Sequence, residues 1–161
     1  MADRSNAVVV TKSAPRELVI TRVFDAPRAL VFEAWTKPEH LVNWFGPNGY
    51  TLPVCEMDFR AGGILRICMR ASDGKEHYTQ GIYREVVPSE RIVWTSSFED
   101  VPGSEIVTSV TFADHEGKTK LTVHQTYSFE SESTRGAPQG WTETLEHLAA
   151  YVANNLNGER R

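Results

Sequence analysis

The segment Gly140 to Val152 reads GWTETLEHLAAYV, and it decides the fold. Trp141, Leu145, Leu148 and Val152 recur at helical spacing and stack on one face of a helix predicted over 138–155. Thr144 and Tyr151 flank that stripe on one side and Ala149 on the other, whereas Glu143, Glu146 and Ala150 point away. The hundred or so residues before it have another rhythm. From Thr51 onward, turn clusters recur at Ala61-Gly62-Gly63, Asp73-Gly74-Lys75, Pro88-Ser89-Glu90, Val101-Pro102-Gly103 and His115-Glu116-Gly117. Between them lie six predicted strands, 52–60, 63–71, 77–87, 91–98, 105–113 and 118–128, at the spacing of an antiparallel meander. One long amphipathic helix beside one antiparallel sheet predicts a curved sheet closed by a single helix, with a cavity between them.

Upstream, Glu17 to Phe24 is rich in β-branched residues and reads as a first strand, bringing the expected sheet to seven strands. Asp25 is the expected cap of a short helix with Pro27 at its first position, carrying Val31, Phe32 and Trp35. Pro38 starts a second short helix with Leu41, Trp44 and Phe45, which ends at the turn Gly46-Pro47-Asn48-Gly49. Residues 1–16 read as a flexible lead-in, 17–156 as one domain and 157–161 as a tail.

Face parity follows from register, because residues opposite each other on neighbouring strands share a face. Setting Ser72 against Glu76 pairs Met69 with Thr79, Ile67 with Gly81 and Leu65 with Tyr83. Setting Val87 against Ile92 puts Trp94, Ser96 and Phe98 on the same face and Glu85 opposite Trp94. Phe112 is expected to face Thr119, and Val110 to face Leu121. The inner face then carries Met57, Phe59, Leu65, Ile67, Met69, Tyr83, Trp94, Phe98, Val110, Phe112, Leu121, Val123 and Tyr127, backed by a polar outer face that includes Arg66, Arg70, Arg84, Lys120 and His124.

Composition bounds the function. The chain has 161 residues, 40% of them hydrophobic and 24% charged, as in an ordinary globular domain. A net charge of −4 supplies no basic stripe for nucleic acid, and no apolar run nears the roughly 18 residues of a membrane span. Cys55 and Cys68 have no CxxC spacing and read as small buried hydrophobes in a reducing cytoplasm. His40, His77, His115, His124 and His147 show no metal-ligand spacing, so neither a metal nor a cofactor is expected. Glu143 and His147, one turn apart, read as a solvated surface pair. Gly117-Lys118-Thr119 lacks the earlier glycine of a phosphate loop, and no Gly-x-Ser-x-Gly nucleophile turn occurs.

The order strand, two short helices, six strands and long helix resembles the helix-grip superfamily (SRPBCC) of START lipid-transfer domains, polyketide cyclases and birch-pollen-type allergens. It is most similar to the C-terminal domain of the activator of the heat-shock-protein-90 ATPase. The resemblance rests on Arg22-Val-Phe-Asp-Ala-Pro27, Trp35-Thr-Lys-Pro-Glu39, Trp44-Phe-Gly-Pro47, Asp58-Phe-Arg-Ala-Gly-Gly63, Gly81-Ile-Tyr-Arg-Glu85 with Pro88, and Gly140-Trp-Thr-Glu-Thr-Leu145. It implies an α+β helix-grip fold with an apolar cavity.

The expected function is therefore a cytoplasmic binding protein for a small hydrophobic or aromatic molecule. The expected ligand-contacting residues are Trp44, Phe45, Met57, Phe59, Ile67, Met69, Tyr83, Trp94, Phe98, Trp141, Leu145 and Leu148. Trp44-Phe45, before a Gly-Pro-Asn-Gly turn, is the expected gate. Tyr83, Gln125, Ser96 and Glu85 are the polar groups with inward parity. One alternative is a cyclase or aromatase using Glu85 or Tyr83, since a carboxylate beside an indole would have its pKa raised. Against it, a bulge or sheet edge would let Glu85 reach water or an arginine such as Arg22. A second alternative is a co-chaperone, disfavoured because residues 1–16 are too few to replace the chaperone-recruiting domain of true activators. A homodimer is left open.

Overall fold

The computed structural model describes residues 8–14 and 16–156. The expected tail at 157–161, like residues 1–7 of the lead-in, lies outside them. The strands are β1 Val9–Ala14, β2 Glu17–Phe24, β3 Thr51–Met57, β4 Ile64–Arg70, β5 Glu76–Val87, β6 Arg91–Phe98, β7 Ile106–His115 and β8 Lys118–Tyr127. They form one antiparallel sheet in the order β1-β2-β8-β7-β6-β5-β4-β3. Among the described residues four α-helices complete the fold: α1 Arg28–Glu33, α2 Pro38–Leu41, α3 Glu132–Arg135 and α4 Ala137–Tyr151, the last continuing as a π-helical turn to Leu156.

The eighth strand departs from the expected seven. Val9–Ala14 pairs antiparallel with β2, setting Val10 against Ile20 and Ala14 against Glu17. Val9 and Val10 remain 50% and 41% exposed, so backbone hydrogen bonding to an open edge, not side-chain burial, holds this strand. That is why apolar patterning missed it.

Two hairpins pair two residues away from the expected register. Leu65 lies opposite Gly81, Ile67 opposite Thr79 and Met69 opposite His77. The cause is the turn: Ala71 N–H donates to the Lys75 carbonyl, closing a loop of Ser72, Asp73 and Gly74. Gly74 takes the left-handed position at φ 90°, as three-residue hairpin loops require. Likewise His115 pairs with Lys118 and Phe112 with Leu121, because Glu116 and Gly117, both at positive φ, make a two-residue turn. A two-residue offset preserves parity. Leu65, Ile67, Val110, Phe112, Leu121 and Val123 are all buried on the concave face as expected.

The third register error does change parity. Tyr83 pairs with Trp94 but Glu85 pairs with Val93, leaving Arg84 as a bulge. An extra residue in one strand turns every later side chain to the other face. Val86, not Glu85, therefore packs against the core beyond the bulge.

Because β2 lies next to one edge of the sheet and β3 forms the other edge, the chain between them must cross the concave face, and α1 and α2 make that crossing. Asp25 does not cap α1; Pro27 occupies the cap without a side-chain bond. α1 buries Val31 and Phe32, and the loop and short helix after it bury Trp35, Leu41 and Trp44. α4 covers the remaining half with Trp141, Thr144, Leu145 and Leu148 buried. α3, not anticipated, is started by a reciprocal capping box between Ser131 and Thr134. No helix among the described residues is long and apolar enough to cross a membrane.

Candidate functional site

The helical crossing fills one half of the concave face with aromatic rings. Trp35 sits edge-on to Trp44 at 4.7 Å, stacks with Trp141 at 6.5 Å, and meets Phe112 edge-on at 6.1 Å. Trp44 is fixed further by its indole N–H, which donates to the Ala34 carbonyl at 3.0 Å. Phe59 and Tyr83 meet edge-on at 5.1 Å in the same half.

The other half is not filled. A cavity of about 520 Å³ lies between β4–β8 and the first turns of α4, with α3 and the turn after Phe45 at its rim. Its apolar wall includes Phe45, Ile67, Met69, Trp94, Phe98 and Trp141, half of the twelve residues expected to touch a ligand. Trp44, Met57, Phe59, Tyr83, Leu145 and Leu148 do not line it. The first four belong to the half occupied by α1 and α2, or to its border. Leu145 and Leu148 are fully buried in the core cluster, on the helix that packs against β2.

Three of the polar groups that line the cavity are buried and joined to one another. Thr108, Gln125 and Tyr127 are 0%, 8% and 7% exposed. Gln125 Nε2 donates to Thr108 Oγ1 at 2.9 Å, and the Tyr127 hydroxyl donates to Gln125 Oε1 at 2.5 Å. Burial raises the Tyr127 phenol above its ordinary value, so it stays a neutral donor. Gln125 had been found by strand parity, as had Ser96, which also lines the cavity. Thr108 was missed, although its parity with Val110 and Phe112 was the available signal.

Glu85, read from the sequence as an inward carboxylate, is corrected by the bulge at Arg84. Its side chain is 50% exposed on the outer face, 3.5 Å from Arg91 Nε. Arg22, the partner first considered, instead pairs with Glu146 on α4. The Tyr83 phenol is raised by burial and secondarily by Cys55, and it has no place in the cavity wall. The Cys55 thiol is pushed up to about 11 by burial, with Glu39 adding to the effect. At neutral pH it is a thiol and not a nucleophile.

The rim is held by residues that periodicity assigned to solvent. His147 Nδ1 lies 2.9 Å from the Gly46 carbonyl oxygen, and His147 Nε2 lies 2.7 Å from Asn48 Oδ1. The Asn48 N–H donates to Glu143 Oε1 at 3.0 Å. The turn that follows the expected Trp44-Phe45 gate is thus strapped to α4. Glu143 sits below its ordinary value of 4.5, first through the Asn48 N–H, then the Gln139 amide, with His147 aiding and desolvation opposing. A carboxyl lowered in the fold stabilises above its unfolded value and loses that contribution as pH falls through the lower folded one. The Asn48–Glu143 bond of this strap is therefore expected to weaken as pH falls below 4.5. An NMR titration of the Asn48 amide should show that transition in wild type and lose it in Glu143→Gln. An amide that titrates unchanged in the variant would remove Glu143 from the strap.

A curved antiparallel sheet with a long helix across it defines the helix-grip class. Residues 25–153 match the model of the family described as Activator of Hsp90 ATPase homolog 1-like protein, and the chain belongs to that family. Among solved structures, protein CV1439 from Chromobacterium violaceum is 30% identical with a TM-score of 0.81, the match covering 88% of this chain and 100% of that one. A protein from Rhizobium leguminosarum is 28% identical at a TM-score of 0.74, covering 92% and 98%. The AHSA1 (SPO3351) protein from Silicibacter pomeroyi, 23% identical at a TM-score of 0.75 and covering 85% and 97%, shares the fold. No curated protein matches the chain.

Proposed function

We propose that this protein binds a small apolar or aromatic molecule in the cavity between the sheet and α4. The observation that carries this reading is the cavity itself. Its volume of about 520 Å³ falls in the range of small-molecule sites, and a mainly apolar wall with a few convergent polar groups is their usual composition. The reading needs no catalytic carboxylate, in keeping with Glu85 on the outer face, and no chaperone partner. Free thiols at Cys55 and Cys68 suit a reducing, cytoplasmic setting.

Native mass spectrometry of the purified protein and titration with an uncharged, environment-sensitive fluorophore test the reading together. Uptake by the folded protein is expected, and Trp94→Ala should weaken it about tenfold or more, the consequence of removing a large apolar contact. Tyr83→Phe, outside the cavity wall, should leave it unchanged. A folded protein that retains no mass and takes up no fluorophore would refute the proposal.

A further inference from the structure

We infer, resting on the binding role proposed above, that the ligand is uncharged and carries a carbonyl-type acceptor that docks on Thr108, Gln125 and Tyr127. The inference follows from counting hydrogens. The threonine hydroxyl offers one, the glutamine amide two and the tyrosine hydroxyl one. Only two are spent, in the bonds from Gln125 to Thr108 and from Tyr127 to Gln125. Turning the amide over exchanges which hydroxyl is left free but not the count. One amide N–H and one hydroxyl therefore remain without an acceptor among the described residues, in side chains at least nine-tenths buried and lining the cavity. A ligand that displaces solvent from the cavity must give these donors an acceptor or leave them unpaired at a cost, and a ligand oxygen supplies it.

Position supplies the rest of the ligand. Trp94 is directly opposite Thr108 on the neighbouring strand, and Thr108 is opposite Gln125 on the next. A planar body against Trp94, under Trp141, thus points its acceptor at the unspent donors. Charge selects against an anion. The charged side chains in the cavity wall, Asp73, Lys75 and Glu132, are all exposed at the rim and sum to one negative charge. The other titratable side chains near the rim, Tyr50 and His77, are half-buried there. No cation among the described lining residues lies deep enough to offset the desolvation of a carboxylate, which a neutral carbonyl avoids.

Three probes of one shape test this: an acetylnaphthalene, the corresponding ethylnaphthalene and naphthoate, titrated into wild type and Gln125→Met. The ketone should bind wild type at least as tightly as the more hydrophobic ethyl compound, and naphthoate more than tenfold weaker than either. Gln125→Met should weaken the ketone roughly three- to tenfold, the worth of a hydrogen bond, and leave the hydrocarbon unchanged. Infrared spectra of the ketone bound to wild type, a readout independent of the variant's folding, should show its carbonyl stretch at lower frequency than in cyclohexane. An unshifted stretch, a ketone no more sensitive to Gln125→Met than the hydrocarbon, or a preference for naphthoate would overturn the polar assignment while leaving apolar binding intact. Failure of all three probes to bind would instead overturn the binding role, and this inference with it.

Discussion

Truncating Leu145 or Leu148 to alanine is expected to cost the fold about 2–5 kcal/mol, the range for emptying a packed core site. Both side chains are fully buried and belong to the cluster that joins the helical crossing to the sheet. The cavity cannot absorb the loss, because neither residue lines it. The deleted methyl groups leave a new void in a closed region and do not merely enlarge an open one. Chemical denaturation should show the loss directly, and the thermal midpoint should fall by roughly 2–4 °C per kcal/mol for a chain of this size. If neither change moved the midpoint, α4 would not be the element that closes the sheet.

Gly81→Ala should be comparably severe, at about 3 kcal/mol or more. Gly81 pairs with Ser96 between β5 and β6, and an added Cβ would lie 1.9 Å from the Thr95 carbonyl oxygen and 2.8 Å from the Ser96 Cα. Both obstacles are backbone, so relief requires parting two central strands and not rotating a side chain. Overpacking usually costs 1–3 kcal/mol where side chains can yield, and more where they cannot. Because β5 and β6 also supply cavity walls through Thr79, Trp94 and Phe98, ligand uptake should fall with stability. Equilibrium unfolding of the variant checks the first expectation and fluorophore titration the second. A variant as stable as wild type would show that the sheet tolerates a wider spacing at this point.

The three severe substitutions act on two different layers of the site. Leu145 and Leu148 seat the roof, and Gly81 keeps the floor strands close. The ligand-facing residues lie between these layers and are expected to tolerate change better, as Trp94 and Gln125 contact empty space on one side. That separation allows binding and folding to be altered independently.

Local sequence determined most of the architecture. The spacing of Trp141, Leu145, Leu148 and Val152 marks the helix face because helical period is a property of neighbouring residues. Strand parity identified Leu65, Ile67, Trp94, Val110 and Gln125 as inward, and it survived two wrong registers because both errors were even. Parity failed at Glu85, where the Arg84 bulge is decided by how two strands meet and not by either strand alone.

Tertiary structure decided the site. Which half of the concave face stays empty depends on where α1 and α2 cross it, so twelve candidate contacts divided into six that line the cavity and six that do not. Glu143 and His147, polar and one turn apart, read as solvated because nothing nearby in sequence needs them. Their partners, Gly46 and Asn48, are brought to α4 only by the completed fold. β1 was invisible for a related reason: an edge strand held by backbone hydrogen bonds needs a neighbour, not an apolar pattern. The sequence by itself determined the elements and which way most side chains face. Close packing of distant segments decided where space remains, because a cavity belongs to no single stretch of chain.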